Sequence, residues 1–319
     1  MCKNIRLQPR DIEVIKRIID FNGLPISCIS NKYFAGSEDG RQRLKLLQNN
    51  NYLKQVLYYA PRNKDGKTYT QKVSAIYYAT PKALREVNCN IDSRYVIPKE
   101  ERLDVTNLIG KLFNKIPNLL SKRQTIEKYN LGNYMPIDCS VPNNNPMFVY
   151  ILGRRIGQRD INTIRNFIKS KIPPNAIHCI ISREFKNKLF LPEAHFIPWN
   201  MAEHFLPNIA RDPYHYLREF LEIVEKQFPG IKHLSTPEPL IKANYQDRIL
   251  HIGELFSGLN HIRLVLQEPP ENTYIYTPNR QCFYGISLKK DNFLFYSKKD
   301  NQIFRMFLEN SRMRSTAYY

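Results

Sequence analysis

One stretch of the chain carries residue types that could hydrolyse a phosphodiester. Glu184 and Lys186 are separated by one residue and follow the apolar segment 177–181, and two acidic residues, Asp138 and Asp160, lie upstream. Restriction-type nucleases use an acidic residue and a Glu-x-Lys pair at a strand end to hold Mg²⁺, which activates water. A charged turn between two strands explains the same residues equally well. Glu184 and Lys186, with Mg²⁺ as cofactor, are therefore the candidate catalytic residues of an alternative in which the chain is a nuclease or relaxase.

Other site chemistries find less support. The HExxH zinc pattern, a phosphate-binding loop and a dinucleotide-binding glycine pattern are all absent. Glu193 with His195, and Glu203 with His204, bring potential metal ligands close in sequence, but scattered histidines are more often ordinary core or surface groups. The six cysteines include no closely spaced pair, which disfavours a zinc knuckle or a disulfide framework. Apart from the Mg²⁺ alternative, the sequence predicts no cofactor and no bound metal.

Residues 37–48 have a pattern that fits contact with nucleic acid. Ser37 suits the cap of a short helix, whose buried stripe is predicted to consist of Leu44, Leu46 and Leu47. Such a helix can read the major groove, because Arg and Gln make paired hydrogen bonds to base edges. A solvated amphipathic helix would show the same stripe. The side chains expected to face outward are Arg41, Gln42, Arg43, Lys45 and Gln48.

The elements around this helix favour the DNA-contacting interpretation. Two helices are predicted before it, one starting at Pro9 and ending at Asn22-Gly23, the other starting at Pro25. A strand at 52–59, a turn at 61–67 and a return strand at 73–78 are predicted after it, and the turn contains Asp-Gly. Three helices followed by a hairpin predict a winged helix. The basic residues expected at its tip, in contact with a phosphate backbone or minor groove, are Arg62, Lys64 and Lys67.

The same order resembles known families. The run from Arg43 to Leu47, followed by Asn51-Tyr52-Leu53, is similar to the "RL..L...GYL" pattern of winged-helix proteins. The run from Tyr78 to Ala83 is similar to the "Y.LT..G" phrase that closes their wing, with Ala at the usual Gly position. The opening Leu7-Gln8-Pro9-Arg10-Asp11 is similar to the "LTPRD" start of the replication-relaxation family of plasmids and integrative elements. The resemblance covers about the first 87 residues, and it implies DNA binding in replication, transfer or transcription control of a mobile element.

The charge balance agrees with a polyanionic partner. The chain has 48 basic and 29 acidic residues, a formal net charge of +19. The positive charge is densest in residues 1–90, where 16 Lys and Arg face 7 Asp and Glu. Nucleic acid is the usual counterpart of such a surplus, because basic side chains displace phosphate counterions. A basic surface kept only for solubility is the alternative. We therefore expect double-stranded DNA as the partner.

The rest of the chain predicts an α+β protein with more than one domain. Residues 1–90 form the winged helix-turn-helix, residues 91–142 a helical connector and linker, and residues 143–319 an α/β domain whose role stays open. The connector is expected to be helical over 88–131. The predicted elements of the last domain are strands at 147–152, 176–182, 189–197, 273–277 and 283–288, and helices at 158–170, from 212 to about 228, 247–266 and 302–310.

Location and assembly follow from the same composition. No stretch approaches the roughly 18 apolar residues of a membrane span, so a cytoplasmic protein that does not contact the membrane is expected. The predicted connector helix offers an apolar stripe for core packing or for a homodimer, formed by Leu103, Val105, Leu108, Ile109, Leu112 and Phe113. A winged helix that serves as a protein–protein adaptor, without touching DNA, is a further alternative.

Overall fold

The computed structural model describes most of the first 212 residues and short segments after them. The described residues are 5–64, 67–92, 96–152, 158–170, 173–183, 194–199, 202–212, 222, 230, 232–233, 240–245, 248–254, 273–277, 294–297 and 302–305. The chain divides into two compact units, Met1–Ile156 and Gly157–Tyr319. Helices and sheets occur in both units, so the fold is mixed α and β. Glu184 and Lys186, the predicted strand at 283–288 and nearly all of the helix predicted from 212 to about 228 lie outside the described residues.

Three helices begin the first unit: α1 (Pro9–Asp20), α2 (Ile26–Phe34) and α3 (Glu38–Asn49). Helix α1 starts where Pro9 needs no backbone N–H partner, and it buries Val14, Ile15, Ile18 and Ile19 on one face. It ends at Asn22 (φ 53°) and Gly23 (φ 115°), since both residue types tolerate a left-handed backbone. The helical period of the isoleucines thus produces the predicted helix.

The connection from α2 to α3 is short and tightly packed. Ala35 (φ 51°) and Gly36 (φ 71°) turn the chain in the left-handed region. The Ser37 hydroxyl then accepts a hydrogen bond from the Gly40 N–H at 3.2 Å, capping α3 as predicted. A Cβ at Gly40 would lie 2.2 Å from Phe34 Cβ, so only glycine permits this approach of the two helices.

A three-stranded antiparallel sheet follows, with strands β1 (Leu24–Pro25), β2 (Leu53–Lys64) and β3 (Lys67–Ala79) in the order β1-β3-β2. The β2–β3 register runs from Leu53 opposite Ala79 to Lys64 opposite Lys67. The hairpin is therefore longer than predicted, because the strands continue through positions expected to form a turn. Helix α4 (Pro81–Glu86) comes next, and the Thr80 hydroxyl caps it by accepting from the Ala83 N–H.

Helix α5 (Leu103–Lys115) packs against α2, β1 and β3. All six residues of its predicted stripe are buried: Leu103, Val105, Leu108, Ile109, Leu112 and Phe113. A continuous helix over 88–131 is wrong, however. Pro98 and Pro117 interrupt helical hydrogen bonding, so the described chain forms a 3₁₀ turn at Glu100–Arg102, α5, strand β4 (Leu120–Ser121) and helix α6 (Lys122–Lys128).

The first unit continues with strands β5 (Cys139–Val141) and β6 (Met147–Ile151). Strand β5 pairs antiparallel with both β4 and β6. The apolar run predicted at 147–152 is confirmed as a strand, and all five β6 residues are buried. A hydrogen bond of 3.1 Å from Gln124 of α6 to Asp20 links this part to α1.

The second unit opens with α7 (Gln158–Lys169), β7 (Ile177–Ser182), β8 (Ala194–Pro198) and α8 (Ala202–Arg211). Strands β7 and β8 are parallel. The helix at 158–170 and the strand at 176–182 are confirmed. The third predicted strand, 189–197, is confirmed from Ala194 onward, and its first five residues lie outside the described residues. None of the helices in the described ranges is long and apolar enough to cross a membrane.

Six further strands form one sheet in the order β14-β13-β12-β11-β10-β9. They are β9 (Lys232–His233), β10 (Leu240–Tyr245), β11 (Arg248–Glu254), β12 (Thr273–Thr277), β13 (Leu294–Ser297) and β14 (Gln302–Arg305).

The strand predicted at 273–277 is confirmed, but helices at 247–266 and 302–310 are wrong where the chain is described. Arg248–Glu254 pairs antiparallel with β10, and Gln302–Arg305 pairs antiparallel with β13. Each misassigned segment follows its partner strand closely in sequence, which favours a hairpin over a helix.

Candidate nucleic-acid interface

Helix α3 has a narrow buried side and a broad exposed side. Gly40, Leu44 and Leu47 are buried, which confirms two of the three leucines predicted for the stripe. The expectation for Leu46 is wrong, since 42% of its surface is exposed. It lies two positions from Leu44 and therefore points away from the core on a helix with 3.6 residues per turn. Arg41, Gln42 and Lys45 are exposed, as expected.

Arg43 is bound to the body of the unit. Its Nε donates to Asp11 Oδ1 at 3.1 Å, and one of its terminal nitrogens donates to Asp11 Oδ2. The same terminal nitrogen donates to the Arg6 carbonyl at 3.0 Å. The Asp11 side chain is fully buried and also accepts from the Gln8 N–H at 2.7 Å. This bidentate pair joins α3 to the first turn of α1, and hydrogen bonding to Asp11 raises the pKa of Arg43.

The other predicted residues of α3 lie in different settings. Arg41 forms an ion pair with Glu38 at 3.4 Å, and both side chains are about two-thirds exposed. Gln48 is half-buried and its Oε1 accepts from the Tyr77 hydroxyl at 3.2 Å, which connects α3 to β3. The exposed charged residues of α3 are two acidic ones, Glu38 and Asp39, and two basic ones, Arg41 and Lys45. Their charges cancel, so the outer face of α3 is polar but nearly neutral.

The hairpin of β2 and β3 changes character at a bulge. Tyr58 pairs with Ser74 but Tyr59 pairs with Lys72, so Val73 is the extra residue. We call the part beyond this point, positions 59–64 and 67–73, the distal ribbon. With a rise of about 3.4 Å per residue, its six pairs extend about 20 Å.

The ribbon register brings the three predicted wing positions together. Lys64 pairs with Lys67, and Arg62 pairs with Tyr69. Cross-strand partners share a face, and so do positions two apart on one strand. Positions 62, 64, 67 and 69 therefore lie on one face of the ribbon. Arg62 and Lys64 belong to β2 and Lys67 begins β3, in place of the turn expected from the sequence.

Described side chains of the distal ribbon are largely exposed on both faces. Tyr59 (47%) and Tyr69 (43%) are exposed, and they lie on opposite faces by register. Thr68, Lys72 and Val73 are exposed too. The sequence prediction did not include Tyr59, Tyr69 and Lys72, which the structure exposes on this ribbon. The alternation of Thr68, Tyr69 and Thr70 was the available signal, because threonine and tyrosine favour strands.

The base of the hairpin is anchored to the core. Tyr58 and Ile76 form a buried cluster with Leu103 of α5, and Val56 and Ala60 pack against it. The Ser74 hydroxyl hydrogen-bonds Asn107 Oδ1 at 2.9 Å. The ribbon therefore projects from a fixed point beside α5.

The acidic residues proposed for metal-assisted hydrolysis belong to different units, Asp138 to the first and Asp160 to the second. Asp138 accepts from the Ile151 N–H at 2.6 Å and pairs with Arg102 at 2.5 Å, an arrangement that stabilises the start of β5. Asp160 is exposed in the first turn of α7. Among the described residues there is no group of three His, Cys, Asp or Glu side chains able to hold a metal ion.

His178, in the second unit, is a buried histidine that lies near a second one, His195. His178 of β7 is buried, and its ring meets Phe167 of α7 edge-on, with centroids 6.3 Å apart. Burial, together with the nearby His195 of β8, lowers the pKa of His178 to about 4. His178 is neutral at physiological pH and packs as a core residue. His204, of the predicted Glu203–His204 pair, is exposed on α8.

We compared the chain with protein-family models, curated proteins and solved structures, and none of them matches it.

Proposed function

We propose that the chain is a double-stranded DNA-binding protein whose first unit acts as a winged helix. The order α1-β1-α2-α3-β2-β3, with the sheet order β1-β3-β2, supports this interpretation. In such an arrangement α3 lies in the major groove while the hairpin contacts the neighbouring backbone. The proposal retains the predicted contacts from Arg41, Gln42, Lys45 and the wing, and it gives Arg43 a positioning role.

The observation that carries the proposal is the long hairpin of β2 and β3, whose described distal side chains are largely exposed, together with the polar outer face of α3. Arg62, Lys64, Lys67 and Lys72 outnumber the single acidic residue Asp65 in this segment. Pro61 and Lys54 on the edge strand β2 oppose pairing with a further strand, because proline lacks an N–H and a lysine disfavours edge association. A polyanion suits this surface better than another sheet does.

Fluorescence anisotropy of a labelled 25-base-pair duplex, titrated with the full chain, tests the proposal. If four phosphates are neutralised, the affinity should fall about 150-fold between 50 and 200 mM salt. The same titration with a single strand of equal length provides the comparison, and it should give weaker binding. Absence of duplex binding at 50 mM salt, or tighter binding to the single strand, would contradict the proposal.

A role in replication, transfer or transcription control of a mobile element belongs to the same proposal and rests on the sequence resemblance of the first 87 residues. Testing it requires the identity of the natural DNA site. Immunoprecipitation of the protein with its DNA in the source cell, followed by sequencing, would reveal that site. Enrichment of a plasmid or integrative-element origin supports the role, and even recovery of all DNA opposes it.

A further inference from the structure

We infer that the distal ribbon, rather than α3, supplies most of the DNA affinity, and that this affinity is independent of base sequence. The inference rests on the proposed function and says which element provides most of the binding free energy. It follows from which basic residues of the two elements are already paired with acidic residues of the protein.

Helix α3 has little positive charge left for phosphates. Arg43 is held by the buried Asp11 carboxylate, and Arg41 is paired with Glu38. Lys45 remains, and the exposed Asp39 of the same helix offsets its charge. Moreover, both acidic residues lie in the first turn, the part of a recognition helix that usually approaches base edges. Their repulsion from phosphates limits how closely that end can approach.

The distal ribbon has the opposite balance. Its positions 62, 64 and 67 share one face, and Lys72 is exposed on the other. Over a length of about 20 Å it can meet several phosphates, since each DNA strand carries one phosphate per about 3.4 Å of axis. Contacts to phosphates fix position without reporting base identity.

The exposed tyrosines add neutral contacts to the same element. Tyr69 shares its face with the three basic positions, and its hydroxyl can donate to a phosphate oxygen. The bulge at Val73 increases the local twist of the ribbon, and bulges commonly re-aim the side chains that follow. The distal ribbon is thus a basic, twisted arm attached to a rigid base.

Three variants of the full chain test the inference by the slope of log affinity against log salt. The ribbon variant is Arg62→Gln, Lys64→Gln and Lys67→Gln. Its matched control removes the same charge from exposed positions of α1, α6 and the segment before α5: Lys16→Gln, Lys99→Gln and Lys128→Gln. The α3 variant is Arg41→Gln, Gln42→Ala and Lys45→Gln, which removes every exposed basic residue of α3.

The ribbon variant should lose about 2.7 from the slope, which corresponds to about 500-fold weaker binding at 0.1 M salt. The matched control should bind within about threefold of the unmodified chain, and the α3 variant should lose no more than about 0.9 from the slope. The unmodified chain should bind two duplexes of unrelated sequence within about tenfold of each other.

Several outcomes would overturn the inference while leaving DNA binding intact. Equal losses in the ribbon variant and its control would mean that only overall charge matters. A larger loss in the α3 variant, or strong preference for one duplex, would make α3 the main contact. Circular dichroism checks folding, and if the triple variant is unfolded, Lys64→Gln alone should lower the slope by about 0.9. Absence of duplex binding by the unmodified chain would instead reject the proposed function.

Discussion

The pair between Arg43 and Asp11 provides the sharpest test of the first unit's structure. Replacing Arg43 with Ala leaves a fully buried carboxylate with one remaining described donor, the Gln8 N–H. Removing one partner of a buried ion pair typically destabilises a protein by about 3–5 kcal/mol. The Arg43 side chain is 19% exposed and Asp11 stays near the positive end of α1, so the lower end applies, about 3 kcal/mol.

Arg41→Ala is the matched control on the same helix. Its pair with Glu38 is well exposed, and such pairs contribute about 0.5 kcal/mol or less. Guanidinium unfolding of the full chain, followed by circular dichroism, gives the change in free energy for each variant. A double-mutant cycle with Asp11→Ala isolates the interaction, for which we expect a coupling of about 2 kcal/mol.

Two results would contradict this prediction. One is that Arg43→Ala destabilises the chain no more than Arg41→Ala does; the other is a coupling between Asp11 and Arg43 below about 0.5 kcal/mol, the level at which independent sites add. Either result would mean that the Arg43 guanidinium does not depend on Asp11 and remains available for DNA.

Two further predictions concern packing and pH. Gly40→Ala should destabilise the chain by about 1–3 kcal/mol despite alanine's higher helix propensity, because its Cβ would overlap Phe34. Gly132→Ala is the control: its Cβ would lie 3.7 Å from its nearest neighbour, so the thermal stability should change little. Burial lowers the pKa of His178 to about 4, so between pH 6.5 and pH 4 the unfolded chain binds a proton that the folded chain does not. The free energy of unfolding should therefore have its full value above pH 6.5 and fall by about 3 kcal/mol toward pH 4. His178→Phe should flatten that part of the unfolding free-energy profile measured against pH, whereas a profile as steep as the unmodified protein's would contradict this.

Local patterns predicted the helices of the first unit well. The isoleucines of α1 and the stripe of α5 repeat at helical spacing, and both sets are buried. The caps at Ser37 and Thr80 are also visible in the sequence, since serine and threonine before a helix supply the missing acceptor. Features that depend on neighbours along the chain were therefore accessible.

Features that depend on partners distant in the sequence could not be predicted from local patterns. Arg43 was predicted to face outward, because local patterns do not reveal that Asp11, 32 positions away on another helix, lies beside it. The ribbon was predicted too short because Pro61 and the polar residues after it are typical of turns, although proline is acceptable on an edge strand. At Arg248–Glu254, pairing with Leu240–Tyr245 determined a strand where a helix was expected. In each case tertiary pairing decided between two locally acceptable structures.

Amide hydrogen exchange of the full chain, with and without a duplex of arbitrary sequence, shows which elements the DNA covers. We expect DNA to slow exchange in peptides covering 53–79, with a smaller effect over 38–49. Peptides from α7, 158–169, should be unchanged. Slowed exchange confined to residues after 157, or none anywhere while the duplex is bound, would contradict the assignment of DNA binding to α3 and the ribbon.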